Sequence, residues 1–274
     1  MKHQYRMYGW TGSHFTAKLR GYLNSKGLDY EERRMWLYDL LVRIPRATGA
    51  TAMPTLQNQT GEWLADTPLI IEALEQRHPE NSIGIDTPRQ RMAAMLLENW
   101  FDDSWLAVSV HTRWTYPENW DNLLKQEWGH ALLPFMPAFV GQWLAENMAK
   151  KPMSGSRHLL GVRPESMELL ERWVLRHLDT LNEHFQQNNY LLGGRPTIAD
   201  YACLATFYPH LNRDPWPRRE WLDKRPDLQA WVERTHSGLA ATGPLLADDE
   251  IPASLAPIFT TIFSEFPDYI QKSV

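Results

Sequence analysis

The sequence predicts two domains, a small α+β unit over residues 1–80 and an all-helical domain beyond it. Three observations carry this division. Strand and helix signals alternate from Gln4 to Glu80. The stretch HPENSIGIDTP at 78–88 is rich in Pro, Gly, Asn and Asp and reads as a linker over 81–88. After it, apolar residues fall at helical spacing over 89–247, and an apolar extension, 248–274, closes the chain.

In order, Gln4 to Trp10 reads as a first strand and Thr11-Gly12 as a turn. Ser13 to Asn24 places Phe15, Leu19, Tyr22 and Leu23 at helical spacing, with Gly27 as the stop. Asp29 to Leu37 reads as a second strand, parallel to the first because a crossover helix joins them. Leu40 to Ile44 gives a short helical piece broken by Pro45. Met53 to Leu56 and Glu62 to Leu64 form a hairpin around Asn58 to Gly61. A helix follows, with Thr67 as N-cap, Pro68 as first helical residue, and Leu69, Ile70, Ala73 and Leu74 as its buried face.

In the second domain, Thr87-Pro88 starts a long helix marked by Met92, Met95, Leu96, Trp100 and Trp105, running toward Val110 and bounded by Pro117. Trp120 to Met148 is helical but interrupted at Pro134 and Pro137, and 150–163 reads as a basic loop. Met167, Leu170, Val174, Leu178, Leu181 and Phe185 make an amphipathic stripe. Thr197-Ile198-Ala199-Asp200 reads as a capping box that opens a nearly all-apolar, buried helix, which makes Cys203 a core residue. Pro226 to Leu239 is one more helix, and Ile251 to Phe266 carries too many apolar groups for a free tail.

Composition excludes several functions. With 43% hydrophobic and 22% charged residues the chain is of ordinary globular character, and no apolar run approaches the roughly 20 residues of a membrane span. A net charge of −5 argues against a nucleic-acid partner. The single cysteine excludes an intramolecular disulfide, a C-x-x-C pair and a multi-cysteine zinc site. His177 and His184 share a helix face without a carboxylate cluster, so no metal is expected. The N-terminal MKHQYRMYGW has no leader pattern, and the expected location is the cytoplasm. Thirteen tryptophans point to an aromatic core or cleft.

GSHFTAKLR at 12–20, MPTL with DTPLIIEALEQRHP at 53–79, and RPTIADYACLA at 195–205, in this order and spacing, resemble the cytosolic glutathione S-transferase superfamily over about residues 4–240. The resemblance implies a thioredoxin-like α+β N-terminal domain followed by an all-α helical bundle. It implies an enzyme with glutathione as co-substrate, a small-molecule electrophile as second substrate, a homodimer and a detoxification role. Ser13 matches the catalytic serine of the serine-type families, with His14 where their motif has proline. By its residue type Ser13 is equally a plain N-cap, and both roles are compatible because a hydroxyl donates as well as accepts. Tyr8 is the alternative thiol donor.

For glutathione, the resemblance assigns Met53 main-chain pairing through a cis bond to Pro54, and Asp66 and Thr67 the γ-glutamyl end. A carboxylate there suits the ammonium, and a hydroxyl at a helix N-terminus suits the ligand's carboxylate. The family's basic residue before Val-Pro is absent at Thr51-Ala52, which leaves Arg43 or Arg46 for the glycyl carboxylate. Trp10, Trp105, His111 and Arg113 are the candidates for the second substrate. Two other readings stand beside transfer: a non-catalytic glutathione-transferase-like binding or scaffold protein, and a reductive or isomerising glutathione enzyme.

Overall fold

The computed structural model describes residues 2–238 and 243–273, with 266–273 described by backbone alone. The first unit runs β1 (Tyr5–Gly9), α1 (His14–Lys26), β2 (Tyr30–Arg34), α2 (Ile44–Thr48), β3 (Thr55–Asn58), β4 (Trp63–Ala65) and α3 (Thr67–Arg77). The helical unit contains α4 (Pro88–Thr115), α5 (Lys125–Leu132), α6 (Ala138–Ala145), α7 (Met167–Gln187), α8 (Ile198–Thr206), α9 (Pro226–Ser237) and α10 (Ala256–Ser273), joined by shorter helical turns. This is the α+β-then-helical architecture the sequence predicts.

The four strands lie in the order β2-β1-β3-β4, with β1 parallel to β2 and antiparallel to β3, and β3 antiparallel to β4. Alternate side chains leave a strand on opposite faces. Tyr5, Met7 and Leu56 therefore pack with Leu19, Leu23, Ile70 and Leu74 of α1 and α3. Tyr8 and Trp10 face the other way, into a cluster with Met35, Ile44, Trp120, Leu124, Trp128 and Ala145. That second cluster joins the sheet to a helical hairpin built from 117–132 and 138–150.

Several boundaries and roles differ from expectation. α3 begins at Thr67 with Asp66 in the cap position, one residue early, because Asp66 takes φ 72° and ψ 115° and turns the chain before the proline. Pro45 does not break its helix: a π turn over Asp39–Arg43 leads into α2, where Pro45 lies in the first turn and no donor is needed. The stretch 150–163 is largely helical, through Lys151–Gly155 and Arg157–Leu160. Met92 and Met95 are exposed on α4, whose buried stripe is Ala93, Leu97, Trp100, Phe101, Trp105 and Val108.

Other expectations hold. Asp200 accepts from the Thr197 N–H at 2.9 Å, and also from the Leu191 N–H at 2.9 Å and the Trp231 indole at 3.2 Å. Cys203 is buried in the core. The C-terminal extension docks through Leu255, Ile258 and Ile262. His177 and His184 secure it, with Nε2 of His177 3.1 Å from Thr261 Oγ1 and Nδ1 of His184 2.8 Å from Ser254 Oγ. Their heptad spacing thus serves tail docking. Leu239 and the side chain of Phe266 lie outside the described residues.

Candidate active site

Strand register assembles the predicted residues at one end of the sheet. β1 runs toward Ser13, and Tyr8 near its end pairs with Thr55, the first residue of β3. Thr55 also pairs with Ala65, the last residue of β4. The antiparallel pairings therefore bring the turn after β1, the Met53-Pro54 entry to β3 and the Asp66-Thr67 exit from β4 to the same edge. The N-termini of α1 and α3 open there, each with unpaired backbone N–H groups and a partial positive charge.

Ser13 caps α1: its Oγ accepts from the Thr16 N–H at 3.4 Å, and its own N–H donates to Trp10 O at 2.9 Å. Among the described residues no acceptor is paired with the hydroxyl proton, which leaves it able to donate. His14 is buried between the domains, with Nδ1 3.4 Å from Ser109 Oγ and 3.5 Å from Thr206 Oγ1. Burial, and then the positive charges of Lys18 and Arg113, lower its pKa to about 3, so it is a neutral seam residue. Tyr8 is buried against the Trp63 ring, with centroids 5.0 Å apart.

At the other side of the edge, the Met53-Pro54 peptide is cis. Asp66 is exposed and Thr67 buried at the start of α3. The Asp66 conformation lies outside the regions that L residues ordinarily occupy, and such outliers cluster at ligand clamps. Arg43 is engaged by Asp39 at 2.7 Å and lies over the rings of Tyr38 and Tyr8, at 5.4 Å and 6.0 Å. Arg46 is exposed.

Comparison with known families places the chain. The glutathione S-transferase N-terminal domain model matches residues 7–82, and the C-terminal domain model matches 164–234. The chain belongs to the glutathione S-transferase superfamily. A solved glutathione S-transferase from Rhodospirillum rubrum is 18% identical, covers 93% of this chain and 99% of its own, and superposes with a TM-score of 0.55. One from Methylobacterium radiotolerans, solved in complex with glutathione sulfonate, is 17% identical over 90% of this chain and 99% of its own, with a TM-score of 0.52. The beta-etherase LigF from Sphingobium is 18% identical over 84% of this chain and 94% of its own, at 0.53. At these identities the structural likeness speaks for the fold.

Of the four residues singled out for the second substrate, Trp10 and Arg113 both meet Trp128, while Trp105 and His111 lie apart from them, and all four are buried. Trp10 is buried and donates its indole N–H to Met35 O at 2.7 Å. Trp105 lies in the helical core. His111 is buried, with Nε2 2.9 Å from Glu171 and Nδ1 3.1 Å from Thr115 Oγ1. Arg113 is buried and fully engaged, with Asp214, Gly12 O and Pro209 O. What sequence reasoning missed is a stripe along α4 that grips α1. Lys18 Nζ lies 2.8 Å from Glu98 and 2.5 Å from Asp102, Ser109 meets His14, and Arg113 meets Gly12. The spacing of 98, 102, 109 and 113 is the helical repeat that could have revealed it.

Among the described residues, no group of three or more His, Cys, Asp or Glu side chains is placed to hold a metal ion. No helix among them is long and apolar enough to cross a membrane.

Proposed function

We propose that this protein is a glutathione transferase acting in the cytoplasm, as a homodimer, on hydrophobic electrophiles in a detoxifying role. We divide it into a glutathione-binding domain at 1–80, a linker at 81–88, a helical domain at 89–247 and an extension at 248–274. The carrying observation is the backbone of Asp66, held at φ 72° and ψ 115° at the α3 N-terminus, on the same sheet edge as Met53 and Ser13. In this reading Asp66 receives the γ-glutamyl ammonium and Thr67 with the helix N-terminus receives its carboxylate. Met53 pairs with the tripeptide main chain beside Pro54. Arg46, exposed where Arg43 is tied to Asp39, meets the glycyl carboxylate.

The chemistry follows from Ser13. A thiol of pKa about 8.5 is more acidic beside a hydrogen-bond donor and a helix N-terminus. The glutathione thiol loses its proton to solvent, and the Ser13 hydroxyl donates a hydrogen bond to the sulfur that stabilises the thiolate. The thiolate then forms an S–C bond with the electrophile as the leaving group departs with its electron pair.

Ser13→Ala tests this, with Ser13→Gly as the control that keeps the cap to within a few tenths of a kcal/mol. Both variants lower kcat about tenfold or more while binding glutathione as the parent does. Parent-like turnover in both removes Ser13 from the mechanism. Calorimetry showing no glutathione binding by the parent protein at millimolar ligand favours the non-catalytic binding reading.

A further inference from the structure

We propose that Arg113 is a positioning residue for Ser13, holding from the helical domain the peptide from which the Ser13 hydroxyl projects. This rests on the transferase reading for its functional consequence. The structural basis is one peptide unit anchored at both poles. The Gly12 carbonyl accepts from Arg113 Nη1 at 2.5 Å, and the Ser13 N–H of the same unit donates to Trp10 O at 2.9 Å. With that plane fixed, the direction of the Ser13 side chain depends only on rotations within Ser13 itself. Its backbone holds φ −87° and ψ 135° as the N-cap of α1.

Arg113 is itself held firmly enough to serve as an anchor. Nε and Nη2 each meet a carboxylate oxygen of Asp214 at 2.9 Å, and Nη2 also donates to Pro209 O at 2.7 Å. The rigid guanidinium fork makes these bonds together, which an ammonium cannot do. Both ionic partners are buried, Arg113 at 3% exposure and Asp214 at 0%. The Trp128 ring lies 6.0 Å from the guanidinium, and its indole nitrogen borders Gly12 beside the guanidinium, 3.6 Å from where a Cβ would stand. Because Arg113 meets the Gly12 carbonyl and not the Ser13 side chain, the contribution to Ser13 is geometric.

Removing Arg113 alone leaves Asp214 buried and unpaired, a change that itself unfolds proteins. The test therefore uses Arg113→Met combined with Asp214→Leu, which removes both charges, and Arg113→Lys, which keeps a cation opposite Asp214 without the fork. Two readouts are taken in each. Amide hydrogen exchange at Ser13 speeds up at least about tenfold while Leu19 to Leu23 in α1 keep their protection. With glutathione and an electrophile, kcat falls about tenfold to a hundredfold while KM for glutathione stays within about threefold. Unchanged Ser13 exchange and unchanged kcat in the folded variants overturn the proposal. A parent protein without glutathione turnover overturns the transferase reading instead, and Ser13 exchange still decides whether Arg113 holds the turn.

Discussion

On one face of the sheet, Tyr5, Met7 and Leu56 meet α1 and α3, helices that follow β1 and β4 directly in the chain. On the other face, Tyr8, Trp10 and Met35 meet Trp120, Leu124 and Trp128, which arrive from beyond the end of α4. The first covering is local and falls within the matched N-terminal family region, 7–82. The second is supplied by the other domain and lies between the two matched family regions, 7–82 and 164–234. Its inner side makes core, and its outer side leaves Phe135, Phe139 and Trp143 exposed. One sheet thus has a back covered by its own neighbouring helices and a front covered from the helical unit, and the two should fail separately.

Acid is the strongest way to separate them. His14, His177 and His184 are buried, and burial lowers their pKa values to about 3, 4 and 4. Below the ordinary histidine value of about 6.5, the unfolded chain binds protons that the folded chain refuses. The stability from these groups is therefore full above that pH and falls as pH drops toward 4, at about 1.4 kcal/mol per pH unit for each proton. These residues hold the domain seam and the C-terminal extension, whereas the hairpin's His130 is exposed. Urea titrations between pH 7 and 4 should show that steep loss, with the hairpin amides retaining protection after those of α10 are lost. Equal loss of protection in both regions would erase the distinction.

Tryptophan truncation is the next test. Trp105→Ala in the helical core and Trp128→Ala in the hairpin each delete a buried ring, a change worth about 3 to 5 kcal/mol. Trp105 is surrounded by Trp100, Phe101, Trp173 and Phe207, so its loss lowers the global unfolding midpoint. Trp128 touches Trp10, Trp114 and Trp120 at the sheet–hairpin boundary, so its loss opens that boundary first. Hydrogen exchange should show protection falling in α5 and α6 before α1 in the second variant. A uniform fall would mean that the two coverings unfold as one.

The same contrast explains what could be read from residues alone. The β1–α1 and β4–α3 units declare themselves through spacing, glycines and prolines that act on their own neighbours. The placement of Ser13, Met53, Asp66 and Thr67 at element ends was legible for that reason, since local chemistry is constrained there. Trp10, Trp105, His111 and Arg113 were legible as unusual residues but not as partners. Nothing local to Arg113 announces Gly12 or Asp214, and nothing local to His177 announces Thr261. The exposed Met92 and Met95 show the same limit: a helical repeat predicts a face, and only packing decides which face is buried.

The hairpin's own lock gives the smallest and most local of these effects. Gly129 in α5 and Gly141 in α6 cross so closely that a Cβ on Gly141 would stand 2.4 Å from Gly129 O, and one on Gly129 would stand 2.7 Å from Gln142 N. The obstructing atoms are backbone, so no side chain can swing aside, and only glycine permits the approach. Gly141→Ala must part the helices, at about 1 to 3 kcal/mol, the usual cost of overpacking. The displacement passes to Trp128, the neighbour of Gly129 in α5, and from there to Trp10 and Gly12. Faster exchange in α5 and α6, with α1 and α3 unchanged, is the expected result; an unaltered exchange pattern would show that the crossing relaxes without cost and that the front of the sheet is softer than its packing implies.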